Sequence, residues 1–288
     1  MPESLLPLER WPALPPPLGD FLVGAVQRCR ATPSLVGLAA GGSFAAGGLD
    51  DYSDLDLVVL VDPAAWPLEP ADRQALAQGL GPLLAAFTGE HVGEPRLLIC
   101  LYGPPLLHVD LKFIRPDDLL PRVEDPMVLW ERDGSVGVAL AQGKAVYPVP
   151  DRQWLEDRFW VWIHYGAAKL ARGELFEALD MLAFLRARVL GPLALEAAGA
   201  RPTGVRRMES AAPDAAVRLR EVVAAYDPAD CARALRSAIS LYRACRAQRS
   251  EPALVERTGA ESAAVEYLAA IEVSLIGHAE PAPSGRKR

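Results

Sequence analysis

The sequence predicts an α+β fold: a mixed β-sheet with flanking helices, followed by an all-α helical bundle. Three observations point there. Up to about residue 150, apolar segments of strand and helix character are interleaved. From Asp151 onward no segment reads as a strand, and apolar residues recur at helical spacing. Charge divides at the same place. Residues 1–150 hold 10 Lys and Arg against 19 Asp and Glu, a balance of −9, whereas residues 151–288 hold 20 against 18, or +2.

The elements follow in order. Phe21, Leu22, Ala25 and Val26 lie at helical spacing and predict a helix near 19–30. Ser34 to Ala40 is a short apolar run ending in Gly41-Gly42, a buried strand and then a turn, with a short helix over Phe44 to Ala46. Asp54 to Val61 reads as a strand that Pro63 ends, and residues 70–87 read as a helix. Leu97 to Leu101 and Leu106 to Ile114 are strands around a Gly103-Pro104-Pro105 turn. Met127 to Trp130 is a fifth strand, and Asp133-Gly134 has hairpin-turn chemistry. Beyond Pro148-Val149-Pro150, helices are expected over about 152–172, 174–198, 214–226, 229–250 and 260–277. Gly199, Pro202, Gly204, Pro213, Pro228 and Pro252 supply the breaks. The expected division is therefore 1–150, 151–278 and a disordered tail over 279–288.

Bulk properties narrow the function. Of 288 residues, 51% are hydrophobic and 23% charged, which excludes a disordered chain. A net charge of −7 argues against a main role in gripping nucleic acid. No apolar run approaches the roughly 20 residues that a bilayer crossing needs. Met1-Pro2-Glu3-Ser4 has no basic stretch before an apolar core, so no secretory signal is expected. Cys29, Cys100, Cys231 and Cys245 are scattered and read as reduced thiols of a cytoplasmic protein.

Chemistry concentrates in Gly41-Gly42-Ser43 and, ten residues later, Asp54-Leu55-Asp56. Alternate side chains of a strand share a face, so the two carboxylates project together while Leu55, Leu57 and Val59 face the other way. Two anions held that close repel unless a cation lies between them, and hard oxygen ligands suit magnesium. At Gly42-Ser43, a glycine backbone and a serine hydroxyl offer donors to a phosphate. The linker Gly47-Gly48-Leu49-Asp50-Asp51-Tyr52-Ser53 is glycine-rich, and Asp50 and Asp51 suit a turn. Alternation over His108 to Phe113 turns Asp110 away from the core beside His108 and Lys112. If its strand neighbours the first, three carboxylates converge.

These motifs resemble the polymerase-β-like nucleotidyltransferase superfamily: a Gly-Ser pair, a spacer, Asp-hydrophobic-Asp on a strand, and a carboxylate on a later strand. The resemblance spans roughly residues 30–135. It implies a nucleotidyltransferase-like sheet and magnesium-dependent transfer of a nucleoside monophosphate, with AMP from ATP the expected case. The acceptor would be a hydroxyl of a small molecule, with pyrophosphate released. By position, Gly42 and Ser43 would hold the triphosphate. Asp54 and Asp56 would ligate Mg2+, and Asp110 would complete the metal site or take the acceptor's proton. A sheet followed by a bundle also resembles the antibiotic nucleotidyltransferases that modify aminoglycosides and lincosamides. A helical half at +2 offers no acidic trap for a polycation, which disfavours an aminoglycoside.

The helical half adds Trp160, Trp162, His164, Tyr165, Lys169, Arg172 and Glu174. Tyr165, Lys169 and Arg172 share a helix face, so Lys169 and Arg172 are candidates for the β- and γ-phosphates. The tryptophans read as core or interface anchors. Competing readings are a catalytically silent, antitoxin-like nucleotide- or partner-binding protein, and an enzyme that nucleotidylates a protein.

Overall fold

The computed structural model describes residues 3–248 and 253–279, and the chain divides into two compact units, 1–147 and 148–288. The expected tail over 279–288 lies outside the described residues apart from residue 279.

In the first unit the elements are β1 (Ser4–Leu5), α1 (Pro16–Arg30), β2 (Leu35–Ala40), α2 (Gly42–Ala45), β3 (Leu55–Val61), α3 (Pro70–Gln78), β4 (Leu83–Gly89), β5 (Glu94–Tyr102), β6 (Leu107–Ile114), β7 (Met127–Glu131) and α4 (Ser135–Ala141). The strands form one mixed sheet in the order β1-β7-β2-β3-β6-β5-β4. β3 and β6 run parallel, and the other neighbours are antiparallel.

Helices cover both faces of this sheet. Leu18, Leu22, Ala25 and Cys29 of α1 pack with Leu38, Leu57, Val59, Leu111 and Phe113. On the opposite face, Val136 and Ala139 of α4 pack with Val36, Ala39, Leu60 and Ile114. With both faces covered, β2 is buried along its whole length. Prolines open α1 and α3, where the missing N–H would be unpaired in any case.

The helix expected over 214–226 stops at Arg220, and two further expectations need correction. The helix expected over 70–87 stops at Gln78, and β4 follows, paired antiparallel with β5. Gly79 and Gly81-Pro82 break the helix, and Leu83 to Phe87 gains more as an added strand. Asp133-Gly134 is not a hairpin turn. Gly134 takes φ 80° and Asp133 Oδ1 accepts the Ser135 N–H at 2.9 Å, so the pair starts α4.

The second unit holds α5 (Arg152–Ala171), α6 (Leu175–Leu185), α7 (Gly191–Ala197), α8 (Met208–Ala211), α9 (Pro213–Arg220), α10 (Pro228–Gln248) and α11 (Thr258–Ala279). A π-helical stretch, Arg186–Leu190, joins α6 to α7. Asp151 caps α5 by accepting the Trp154 N–H at 2.9 Å. The inward stripe of α5, Leu155, Phe159, Trp160, Ile163, Ala167 and Leu170, packs with Leu182, Leu235 and Leu268 in a core of its own. Within it Glu156 is 0% exposed. Its carboxylate accepts from Trp160 Nε1 at 3.0 Å, Tyr242 Oη at 2.8 Å, Arg246 Nη1 at 3.1 Å and Arg257 N at 2.9 Å. The four cysteines are buried and unbridged. Among the described residues, no helix is long and apolar enough to cross a membrane.

Candidate active site

The site is built where β2 ends beside β3. Ala40 pairs with Leu57, and the Gly41 N–H donates to Asp56 O at 2.9 Å. This brings the glycine turn against the strand carrying the paired carboxylates. Gly42 takes φ +55°, a left-handed conformation that side chains rarely adopt. A Cβ there would also collide with Asp56 Oδ2. Close approach and backbone sign thus both require glycine. Ser43 follows at the start of α2, 7% exposed.

On β3, Leu55, Leu57 and Val59 are buried in the core under α1, and Asp56 lies on the other face, half-buried. Asp54 immediately precedes the strand and is half-buried too. Across the parallel pair, Asp56 stands in register with Asp110 of β6, and Val109, Leu111 and Phe113 turn inward. Asp110 Oδ1 lies 3.0 Å from His108 Nε2. Burial raises the Asp110 pKa above the ordinary carboxylate value; His108 works against this, and the charge of Asp54 adds to it. Asp54 and Asp110 therefore feel each other as like charges. Lys112, on the same face of β6, is taken up by Glu94 at 2.9 Å. Glu94 also pairs with Arg96 at 2.7 Å. These two cations, Arg96 first, hold the Glu94 carboxyl down at about 2.

The chemistry of the donors suits a hard divalent cation, since Asp54, Asp56 and Asp110 offer carboxylate oxygens near the Gly41–Ser43 turn. Among the described residues, no three His, Cys, Asp or Glu side chains close on one point as in a preformed metal site. Magnesium needs fewer protein ligands than that, because it keeps waters and takes substrate phosphate oxygens.

Two solved structures are similar to the chain over most of its length. One is an aminoglycoside 6-adenyltransferase from Bacillus subtilis, at 14% identity over 88% of this chain and 96% of that chain, with a TM-score of 0.37. Another is a nucleotidyltransferase-like protein from Exiguobacterium sibiricum, at 14% identity over 88% of this chain and 89% of that one, with the same TM-score, 0.37. No family model and no curated protein matches the chain.

The candidates of the second unit are engaged locally. Lys169 Nζ lies 2.8 Å from Glu174 and 2.6 Å from Glu177, above the Tyr165 ring. Those two carboxylates, Glu174 first, raise its pKa. Arg172 Nη1 lies 3.7 Å from Glu174 and its side chain is 66% exposed. Trp160 is core, Trp162 packs on Phe184, and His164 lies against Tyr267.

Sequence reasoning missed Glu124. Its Oε1 accepts the Gly42 N–H at 2.7 Å, from 82 residues away in sequence. Glu124 sits in a loop between β6 and β7 with neither helical nor strand periodicity, so no local signal marks it.

Proposed function

We propose that the protein is a magnesium-dependent nucleotidyltransferase that moves AMP from ATP onto a hydroxyl of a small-molecule acceptor and releases pyrophosphate. The observation that carries this reading is the register of Asp56 against Asp110 on parallel strands, with the Gly41–Ser43 turn bonded to the Asp56 backbone. This neighbourhood supports a pairing of acidic ligands with a phosphate turn.

Asp54, Asp56 and Asp110 are the proposed ligands of the cation. Magnesium bound there would offset phosphate charge and acidify an acceptor hydroxyl. The Gly42–Ser43 turn would orient the triphosphate through backbone and hydroxyl donors. In the transfer, the acceptor oxygen bonds to the α-phosphorus, the bond from that phosphorus to the oxygen bridging to the β-phosphate breaks, and pyrophosphate leaves. The hydroxyl proton would pass to Asp110, which stands in register with Asp56 beside the proposed cation.

A pyrophosphate-release assay, with acceptor libraries screened for the mass of an added AMP, tests this. Asp54→Ala and Asp56→Ala should lose turnover while melting as wild type, because their carboxylates serve the cation and not the core. Asp110→Asn should lower kcat about a hundredfold or more. Wild-type turnover in both Asp54→Ala and Asp56→Ala would sink the reading.

A further inference from the structure

Glu124 places a carboxylate on the backbone donor that the proposed function gives to a phosphate. Its Oε1 is 2.7 Å from Gly42 N, and a Cβ built on Gly41 would stand 2.7 Å from the same oxygen. One oxygen of that carboxylate therefore lies close to both Gly41 and Gly42. The Asp56 carboxylate lies against Gly42 as well. Two carboxylates thus lie against one glycine.

The loop that delivers Glu124 is also tied down two residues earlier, at Arg122. Arg122 Nη2 donates to Leu140 O at 2.9 Å, and the Val146 N–H donates to Arg122 O at 2.9 Å. The Glu124 side chain has three rotatable bonds and can leave the turn while the loop stays in place. A carboxylate and a phosphate oxygen ask the same thing of an N–H, so a triphosphate in the turn must displace this contact.

We infer that Glu124 is an internal competitor of the nucleotide: it occupies the phosphate turn in the unliganded protein and is expelled when the triphosphate enters. This rests on the nucleotide reading above and adds a regulatory contact to it. The consequence is an affinity lowered in proportion to the occupancy of the turn by Glu124. Occupancy of nine parts in ten corresponds to about a tenfold weaker apparent Kd.

The test is calorimetric titration of the full chain, with magnesium, by an ATP analogue carrying a methylene between the α- and β-phosphorus, and separately by inorganic triphosphate. Glu124→Ala should bind both about tenfold more tightly than wild type. Glu124→Gln should fall between, since the amide keeps an acceptor oxygen without the charge. Glu124→Asp keeps the charge but is one methylene too short to reach Gly42, so it should resemble Glu124→Ala. If Glu124→Asp instead matches wild type, bulk charge is responsible and the inference fails. It also fails if Glu124→Ala binds equally or less tightly, which is the result for a strut that merely holds the turn. Should Glu124→Ala not fold, the Glu124→Gln and Glu124→Asp titrations decide by the same criteria. Wild type binding the analogue, with no variant binding tighter, overturns the competitor alone. No binding by wild type or any variant overturns the nucleotide reading and this inference together.

Discussion

Gly42 is the residue at which the site is most sharply constrained. Its left-handed φ and the nearness of Asp56 Oδ2 act together, so Gly42→Ala must either flip the turn or push the Asp56 carboxylate aside. The expected outcome is loss of nucleotide binding by calorimetry, with a small change in Tm, because the turn lies at the sheet's end. Unchanged binding would mean that the turn does not hold phosphate. Spacing alone made Gly42, Ser43, Asp54 and Asp56 stand out as candidates, since the motif is local. Glu124 could not be found that way, because its contact with Gly42 joins two loops distant in sequence. Glu156 makes a different point about buried charge. Burial pushes its pKa up, but the Arg257 N–H, Trp160, Tyr242 and the charge of Arg246 together outweigh it and leave the value lowered. A lowered folded value means that this carboxylate stabilises the fold above its unfolded pKa, near 4.3. That stabilisation is lost as pH falls through the lower folded value. Glu156→Ala should destabilise by about 3 kcal/mol at neutral pH, by stranding partners in the core. Chemical denaturation should also show the wild type losing more stability than the variant on acidification below pH 4.

At the scale of elements, the pairing of β3 with β6 decides the geometry, and pairing is what periodicity cannot report. Alternation over His108 to Phe113 was enough to turn Asp110 outward, and the structure has that strand. Which strand lies beside which depends on contacts between segments far apart, and a one-residue slip would move Asp110 to the buried face. The misread stretch 70–87 shows the same limit. Leu83, Leu84, Ala85, Ala86 and Phe87 form an apolar run without alternation, equally compatible with helix until β5 offers a ladder. The helices of the second unit were easier, because their stripes are long and prolines open α9 and α10. The joint between α6 and α7 was not legible. There the helix loosens to a π stretch, and a Cβ on Gly191 would collide with Gly204 O.

At the scale of the molecule, each unit has its own hydrophobic core. Residues 148–288, expressed alone, should therefore show helical circular dichroism and a cooperative thermal transition; a non-cooperative melt would show that this unit depends on the first. The parallel pairing of β3 with β6 has one more consequence. Parallel neighbours require a crossover, and here it runs through α3, β4 and β5 before the chain returns at Leu107. Asp56 leaves the ribosome 54 residues ahead of Asp110. A growing polypeptide thus displays its phosphate turn and first acidic pair well before their partner has been made, and the centre is completed only when a whole α/β excursion has been wound back into the middle of the sheet.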